Sequence, residues 1–393
     1  MHLVETYALN CGLKIDKPYI YEKFFPLDVE KFITLHPNSK YGSKCYDYWQ
    51  DVVDILLPKL EKENIQILQI GVAEDKPIKG CLHGQGKSDI NQTAYILSKS
   101  MLHVGADSFP AHVASGYGKK IVCIYSNNYA ANCDPYWTAD EDKVIIEPER
   151  DGKKPSFAAD ESPKTINTIN PEDIAAGVLK LLNIENHKNF KTVKKGPAYN
   201  HAIVELVPNC VADISSIGID SIIMRMDLEF NEQVLAAQLS KGKCSIITDK
   251  PIDINIFKQL KQNVTELVYL VDENHKPDFI KEVFNLGFKV ILMSELKPEK
   301  LEPIKIDYMD FGVIQQVPFP EKEEIKKLKS YDLDKLYYKS KRILISNAKS
   351  YKGEAAWRSD TPSDPNDNSP LKVIDSPEFW DAIEEFYILE KNS

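Results

Sequence analysis

Three residues set the chemical question. Asp107 and Ser108 stand between the apolar runs "LHVGA" (Leu102–Ala106) and "KIVCIYS" (Lys120–Ser126), and the intervening "FPAHVASGYG" carries His112. A helix entered at Phe109 exposes free N–H groups, which Asp107 or Ser108 can cap, with Pro110 in the first turn. The same arrangement suits an anion, because a helix N-terminus at the end of a strand attracts phosphate. His112 lies one turn further on, within reach of such an anion.

A second loop offers matching chemistry. After "KFITLH" (Lys31–His36) comes "PNSKYGSK", in which Ser39, Lys40, Ser43 and Lys44 place hydroxyls and cations in one short segment. Alone, it reads equally well as a solvated surface loop. In a parallel sheet it would share a rim with Asp107, and the two loops together would form a cationic, N–H-rich pocket suited to a diphosphate.

The elements that must position these loops follow from the apolar pattern. Lys31–His36, "IQILQIG" (Ile65–Gly71), "MLHVGA", "KIVCIYS" and "KVIIEP" (Lys143–Pro148) are apolar runs of strand length. Helical patterns separate them, around Tyr48–Leu60, in "INQTAYILSKS" and in "PAHVASGYG"; another, "NPEDIAAGVLKLLN", closes this half. Continuous apolar strands alternating with helices predict a parallel sheet covered on both faces. The second half repeats the grammar, with strands in "AIVELV", "SIIMRMD", "KCSIITD", "TELVYLVD" and "FKVILMS". The basic stretch His187–Asn200 has no apolar period and reads as a linker. The expected organisation is a first α/β domain over 1–186, the linker over 187–200, a second α/β domain over 201–347, and a C-terminal extension over 348–393. In that extension "SPEFWDAIEEFYIL" reads as an amphipathic helix, with Phe379, Trp380, Ile383, Phe386 and Tyr387 on one docking face. Two such domains would enclose a ligand cleft.

The totals bound the class. A chain of 393 residues exceeds one hydrophobic core. The formal net charge of -10 argues against general nucleic-acid affinity, although the basic Lys188–Lys195 keeps a local contact open. Cysteine numbers seven, an odd count with no C-x-x-C pair, which points to reduced thiols and a cytoplasmic location. The N-terminus has no signal-peptide pattern, and no apolar run approaches the roughly 20 residues of an integral membrane segment.

The order of motifs resembles the nucleotide-sugar-binding half of glycosyltransferase family 9, which includes the lipopolysaccharide heptosyltransferases. That family has a strand leading into His-Pro-Gly-Ser, then a Ser-Lys segment, and later Gly-Asn-Asp-Ser-Gly-x-x-His. Here His36-Pro37-Asn38-Ser39, Ser43-Lys44 and Gly105-Ala106-Asp107-Ser108-Phe109-Pro110-Ala111-His112 stand in those places, over about Lys31 to Ile146. The resemblance implies a GT-B-like pair of Rossmann-like open parallel-sheet domains facing a cleft, their order possibly swapped, with a helical tail. It implies donor binding by Ser39, Lys40, Ser43, Lys44, Asp107, Ser108, Phe109 and His112. Sheet geometry would put the base and ribose near the loop after Gly71 and near His83–Asp89. Phe109 departs from the family's glycine, and its side chain narrows the backbone approach to phosphate. The acceptor domain that precedes this half in the family has no counterpart in the roughly thirty residues before Lys31.

The implied reaction moves a sugar from a nucleotide-diphosphate donor to an acceptor. Positive charge and N–H dipoles stabilise the leaving diphosphate, and a carboxylate or histidine takes the acceptor's proton. Asp213 and Asp220, in "NCVADISSIGIDS", are the candidate bases. No cofactor and no obligatory metal are expected: Asp140-Glu141-Asp142 and Asp332-Leu333-Asp334 have D-x-D spacing but lie in charged turns and faces. Tyr136 and Trp137 could wall a sugar or pack in the core. The acceptor classes left open are a glycan, a lipid-linked sugar and modified DNA. Competing readings are a nucleotide-sugar epimerase and a non-catalytic nucleotide-sugar-binding module.

Overall fold

The structure is a computed structural model that describes residues 1–186, 189–213, 221–317 and 321–392. The chain divides into two compact units, Met1–Lys191 and Thr192–Ser393.

Unit 1 opens with helix α1 (Leu3–Cys11) and an extended arm. Ile20, Phe25, Leu27 and Val29 of that arm pack against the unit's core, in a region where the sequence pattern predicted nothing. There follow β1 (Phe32–His36), α2 (Trp49–Leu60), β2 (Gln66–Gln69), β3 (Leu82–His83), α3 (Ile90–Lys99) and β4 (Leu102–Ala106). Then come α4 (Phe109–Gly116), β5 (Lys120–Ile124), α5 (Ala130–Cys133), β6 (Lys143–Ile146) and α6 (Pro171–Leu181). The six strands run parallel in the order β3-β2-β1-β4-β5-β6. Every residue of β4 is buried, His103 included, as expected of a largely apolar strand covered on both faces. α2 packs beside α6, and α3 beside α4. The chain moves outward from β1 to β2 and β3, then returns to add β4 on the other side of β1. The loops after β1 and β4 therefore leave the sheet in neighbouring positions on one rim but depart in opposite directions, which opens a crevice between them.

The second sheet begins after β7 (Phe190–Lys195), with β8 (Ile203–Leu206), β9 (Ser221–Arg225), α7 (Glu232–Lys241), β10 (Lys243–Thr248), α8 (Ile254–Gln259), β11 (Val264–Leu270), α9 (Pro277–Asn285) and β12 (Val290–Ser294). It continues with α10 (Pro298–Lys305), β13 (Gln315–Gln316), α11 (Lys322–Lys329), β14 (Leu336–Ser340), β15 (Arg342–Ser346) and β16 (Lys349–Tyr351). Its eight strands run in the order β13-β12-β11-β10-β9-β8-β15-β16, parallel except for the β15–β16 hairpin. The fold class is thus the expected one, two α/β units each built on an open, mainly parallel sheet. Five neighbouring strands of this sheet, β8 to β12, bury Leu206, Met224, Ile246, Leu267 and Leu292 in one core.

Two segments differ from the sequence reading. The stretch read as a linker contributes β7, which joins a four-stranded sheet in the order β17-β14-β18-β7, where β17 is Leu371–Lys372 and β18 is Phe386–Lys391. Its lysines masked it: Lys194 is matched by Glu324 and Glu384 at 2.5 and 3.0 Å, so this edge strand needs no apolar alternation to be held. The other is the tail helix. After α12 (Glu354–Arg358), α13 covers only Pro377–Asp381, and Phe386 onward is β18. The apolar residues of the proposed face, Phe379, Trp380, Ile383, Phe386 and Tyr387, are all buried. Pairing of Phe386–Glu390 with β14 determines the backbone there, because aromatic and β-branched residues also suit a strand.

Candidate functional site in the crevice between β1 and β4

The loop after β1 is anchored from below. Trp49 Nε1 donates to the Pro37 carbonyl at 2.8 Å, and the Cys45 thiol receives the Ser39 N–H at 3.3 Å. Ser43 is the exception among the expected ligands. Its hydroxyl donates to the Ala158 carbonyl at 2.8 Å and accepts from Asn127 Nδ2 at 3.0 Å, while its N–H donates to the Ala159 carbonyl at 2.9 Å. It is fully buried and fixes one loop to another, so its hydroxyl faces no ligand space.

Lys44 and the Asp107 turn meet. Lys44 Nζ lies 2.5 Å from Asp107 Oδ2, with the two side chains only 17% and 9% exposed. His112 Nε2 lies 3.3 Å from Asp107 Oδ1. Burial by itself pushes the Asp107 carboxyl up; hydrogen bonds from His112 and Lys44 outweigh it and hold the group below its ordinary range. The backbone adds a further tie, since the Asp107 N–H donates to the Ile124 carbonyl at 3.1 Å.

The expected capping is not made. Ser108 occupies the N-cap position of α4 without a side-chain cap, and the Asp107 carboxylate is engaged by Lys44 and His112. Ser108 Oγ instead turns back, donating to the Ala106 carbonyl at 3.1 Å and meeting His36 Nδ1 at 3.0 Å. The N–H groups of Ser108 and Phe109 have no partner among the described residues, which is the state an anion-binding turn requires.

Ser39, Lys40, Lys44, Asp107, Ser108, Phe109 and His112 line one pocket of about 530 Å³. Gly71, Val72 and Ser88 border the same space, so the two segments expected from sheet geometry to lie near the base and ribose also reach this pocket. Lys40 is exposed and has no ion pair among the described residues. Phe109 is 48% exposed, so its ring occupies the pocket wall without being packed away. Tyr41 and Thr93 are lining residues that sequence reasoning did not single out, and His36, named there only as part of a motif, was given no role. For His36 a signal existed, its place as the last residue of a strand beside the Asp107 turn. Burial lowers its imidazole from the ordinary range, against a smaller upward pull from Asp75.

The remaining candidates lie elsewhere. Asp213 is exposed, beyond the carboxyl end of β8 in unit 2, and Asp220 lies outside the described residues. Asp140 pairs with Lys143 at 2.9 Å, and Asp334 with Lys372 at 3.1 Å. Tyr136 and Trp137 meet edge to face, and Trp137 Nε1 donates to the Asp16 carbonyl, so they brace the N-terminal arm. No helix among the described residues is long and apolar enough to cross a membrane.

No known family profile matches the sequence, and no curated protein does. Several solved structures are partly similar. A glycosyl transferase family 9 protein from Veillonella parvula shares 16% identity over 46% of this chain and 50% of its own, with a TM-score of 0.33. The ADP-heptose LPS heptosyltransferase II of E. coli shares 15% over 46% of this chain and 51% of its own, with a TM-score of 0.31. E. coli heptosyltransferase WaaC, solved with ADP, shares 10% over 45% of this chain and 54% of its own, also at 0.31. The chain thus spans about half the length of these structures.

Proposed function

We propose that the crevice between β1 and β4 holds the diphosphate of a nucleotide sugar, and that the chain is a glycosyltransferase of the GT-B type. The observation that carries this is the convergence of Lys40, Lys44 and the Asp107 turn on one pocket at the point where the strand order reverses. The volume of about 530 Å³ is in the range of small-molecule sites.

In this reading the bond between the sugar's anomeric carbon and the diphosphate oxygen breaks. The leaving oxygen's charge is met by Lys40, Lys44 and the N–H groups of Ser108 and Phe109, without a metal. An acceptor hydroxyl forms the new bond and gives its proton to a carboxylate, for which Asp213 and Asp220 are the candidates. The acceptor is a glycan, a lipid-linked sugar or modified DNA. Seven free thiols accord with a cytoplasmic setting.

A second reading has an observation of its own. Asp107 already compensates Lys44, and the Phe109 ring narrows the approach to the turn. Both favour a module that binds a nucleotide sugar without transferring it.

A thermal-shift series with ADP, GDP, UDP and their glucose or mannose conjugates tests both readings. Stabilisation that disappears in Lys44→Ala supports the site, and release of free sugar or its transfer onto an added glycan separates enzyme from binder. An unmoved melting curve with every compound ends the proposal.

A further inference from the structure

The first part of unit 1 presents apolar side chains to solvent in unusual number. Met1, Leu9, Leu13, Tyr19, Tyr21 and Phe24 are each between 61% and 90% exposed, and α1 buries none of its residues. The segment is nevertheless held in place. Pro18 and Ile20 sit against Gly116 at the end of α4, and the Lys23 N–H donates to the Asn91 carbonyl at 3.1 Å. Phe24 meets Tyr95 of α3 edge to face at 5.4 Å. Side chains alternate along an extended chain, so seating Pro18 and Ile20 turns Tyr19 and Tyr21 outward. At the other end Met1, Glu5, Leu9, Leu13, Lys14 and Tyr136 line a groove of about 440 Å³. The arm reaches at most about 30 Å from Ile15 to Phe24. Groove and rings are therefore the two ends of one strip.

We infer that this strip pairs with the same strip of a second copy of the chain, antiparallel about a two-fold axis, so that the rings of each copy enter the groove of the other. Aromatic rings of about 150–250 Å² each and three long aliphatic chains, at these exposures, amount to roughly 800 Å². That exceeds the ~300–600 Å² of the largest patch on a typical monomer and matches the ~800 Å² that each partner buries in a stable complex. Charge selects the occupant. Lys14, Lys17 and Lys23 balance Glu5, Asp16 and Glu22, so the strip is neutral on a chain of formal charge -10. An anionic lipid surface is drawn to a basic excess, which is missing here. Two copies of an acidic chain need a neutral face, which spares them the repulsion. Lys14 stands exposed at the groove and Glu22 exposed at the ring end, opposite charges that the antiparallel pairing brings together twice. Knob, hole and both charges lie on one copy, as a self-complementary face requires. The anchored arm also has little freedom to lose on association.

Two substitutions at exposed positions test the pairing on the full chain. Leu9→Glu alters the groove end and Tyr21→Lys the ring end. Sedimentation velocity of the wild type, from about 1 to about 50 μM, should reach twice the mass of one chain at the upper end. Each variant alone should self-associate at least about 100-fold more weakly, because the two-fold breaks its contact twice. An equimolar mixture of the two should recover to within about tenfold of the wild type: the new carboxylate meets the new ammonium at one end, and the other end is unaltered. Val313→Lys, at an apolar residue of unit 2 that is 82% exposed, should leave the dimer intact. Melting curves report whether each variant is folded. If one is not, the wild type alone decides: amides of residues 14–24 should exchange at least about fivefold more slowly at about 50 μM than at about 1 μM, and equal rates refute the pairing. A wild type that stays monomeric overturns the inference, as does a dimer untouched by both variants or a mixture that fails to pair. A monomer that co-sediments with phosphatidylglycerol vesicles assigns the strip to a lipid surface and overturns it too. The reading of the crevice is independent of each of these results.

Discussion

Replacing Lys44 with methionine removes the cation but keeps most of the stem, and its cost can be worked from burial. Asp107 is 9% exposed and Lys44 is 17% exposed, so the pair is largely shielded from water. Removing one partner of a buried pair strands the other, at about 3–5 kcal/mol. His112 still faces Asp107 at 3.3 Å, which puts Lys44→Met near the lower end, about 3 kcal/mol. That corresponds to a factor of roughly 150 in the unfolding equilibrium. Native-state hydrogen exchange of the full chain reads it at the central amides of β1, β4 and β5, which exchange through opening of unit 1. The control is Lys23→Met, whose ion pair with Asp89 has side chains 59% and 50% exposed and whose loss falls within about 0.5 kcal/mol. If Lys44→Met accelerates exchange no more than Lys23→Met does, the Lys44–Asp107 pair is not the desolvated contact described here, and the reasoning about the crevice fails with it.

Other outcomes follow from the same geometry. His103 is wholly buried and pushed down to about 3, mainly by desolvation, with smaller contributions from His36 and His112. Below its ordinary value of 6.5 the unfolded chain takes a proton that the folded chain refuses, so unfolding free energy falls as pH falls, by up to about 1.4 kcal/mol per pH unit. Urea titrations from pH 7 to pH 5 on wild type and His103→Gln check this, and the variant should lose that slope. The depressed Asp107 carboxyl acts lower down: its contribution is full above its ordinary 3.8 and is lost as pH falls through the lowered value, a step that Asp107→Asn should abolish in acid denaturation. Ser43→Ala removes the hydroxyl's bond to the Ala158 carbonyl and one of the two acceptors of Asn127 Nδ2, which keeps the Ala158 carbonyl at 2.6 Å, costing about 1–3 kcal/mol of stability by denaturant titration, with a smaller effect on nucleotide affinity than Lys44→Ala. Phe109→Gly opens the wall beside the Ser108 turn at about 1 kcal/mol of helix stability, and calorimetry should show tighter binding of diphosphate nucleotides.

The sequence by itself determined the grammar of both units. A short, largely apolar run such as Leu102–Ala106, bounded by turn residues and followed by a helical pattern, suits a strand covered on both faces, and that preference is local. It also marked the Ser39–Lys44 and Asp107–His112 segments, because their hydroxyls, cations and acid stand at strand ends that share one rim of a parallel sheet. Tertiary structure decided what those segments do. Lys44 and Asp107 stand 63 residues apart in the chain and meet because β4 was added beside β1. The burial of Ser43 and the backward turn of Ser108 each depend on which carbonyl lies nearest, a distance that no residue pattern encodes. The same holds for β7 and β18. Lysines matched by distant glutamates, and aromatics equally suited to helix or strand, take their backbone from the neighbour they pair with, and the neighbour exists only once the chain has folded.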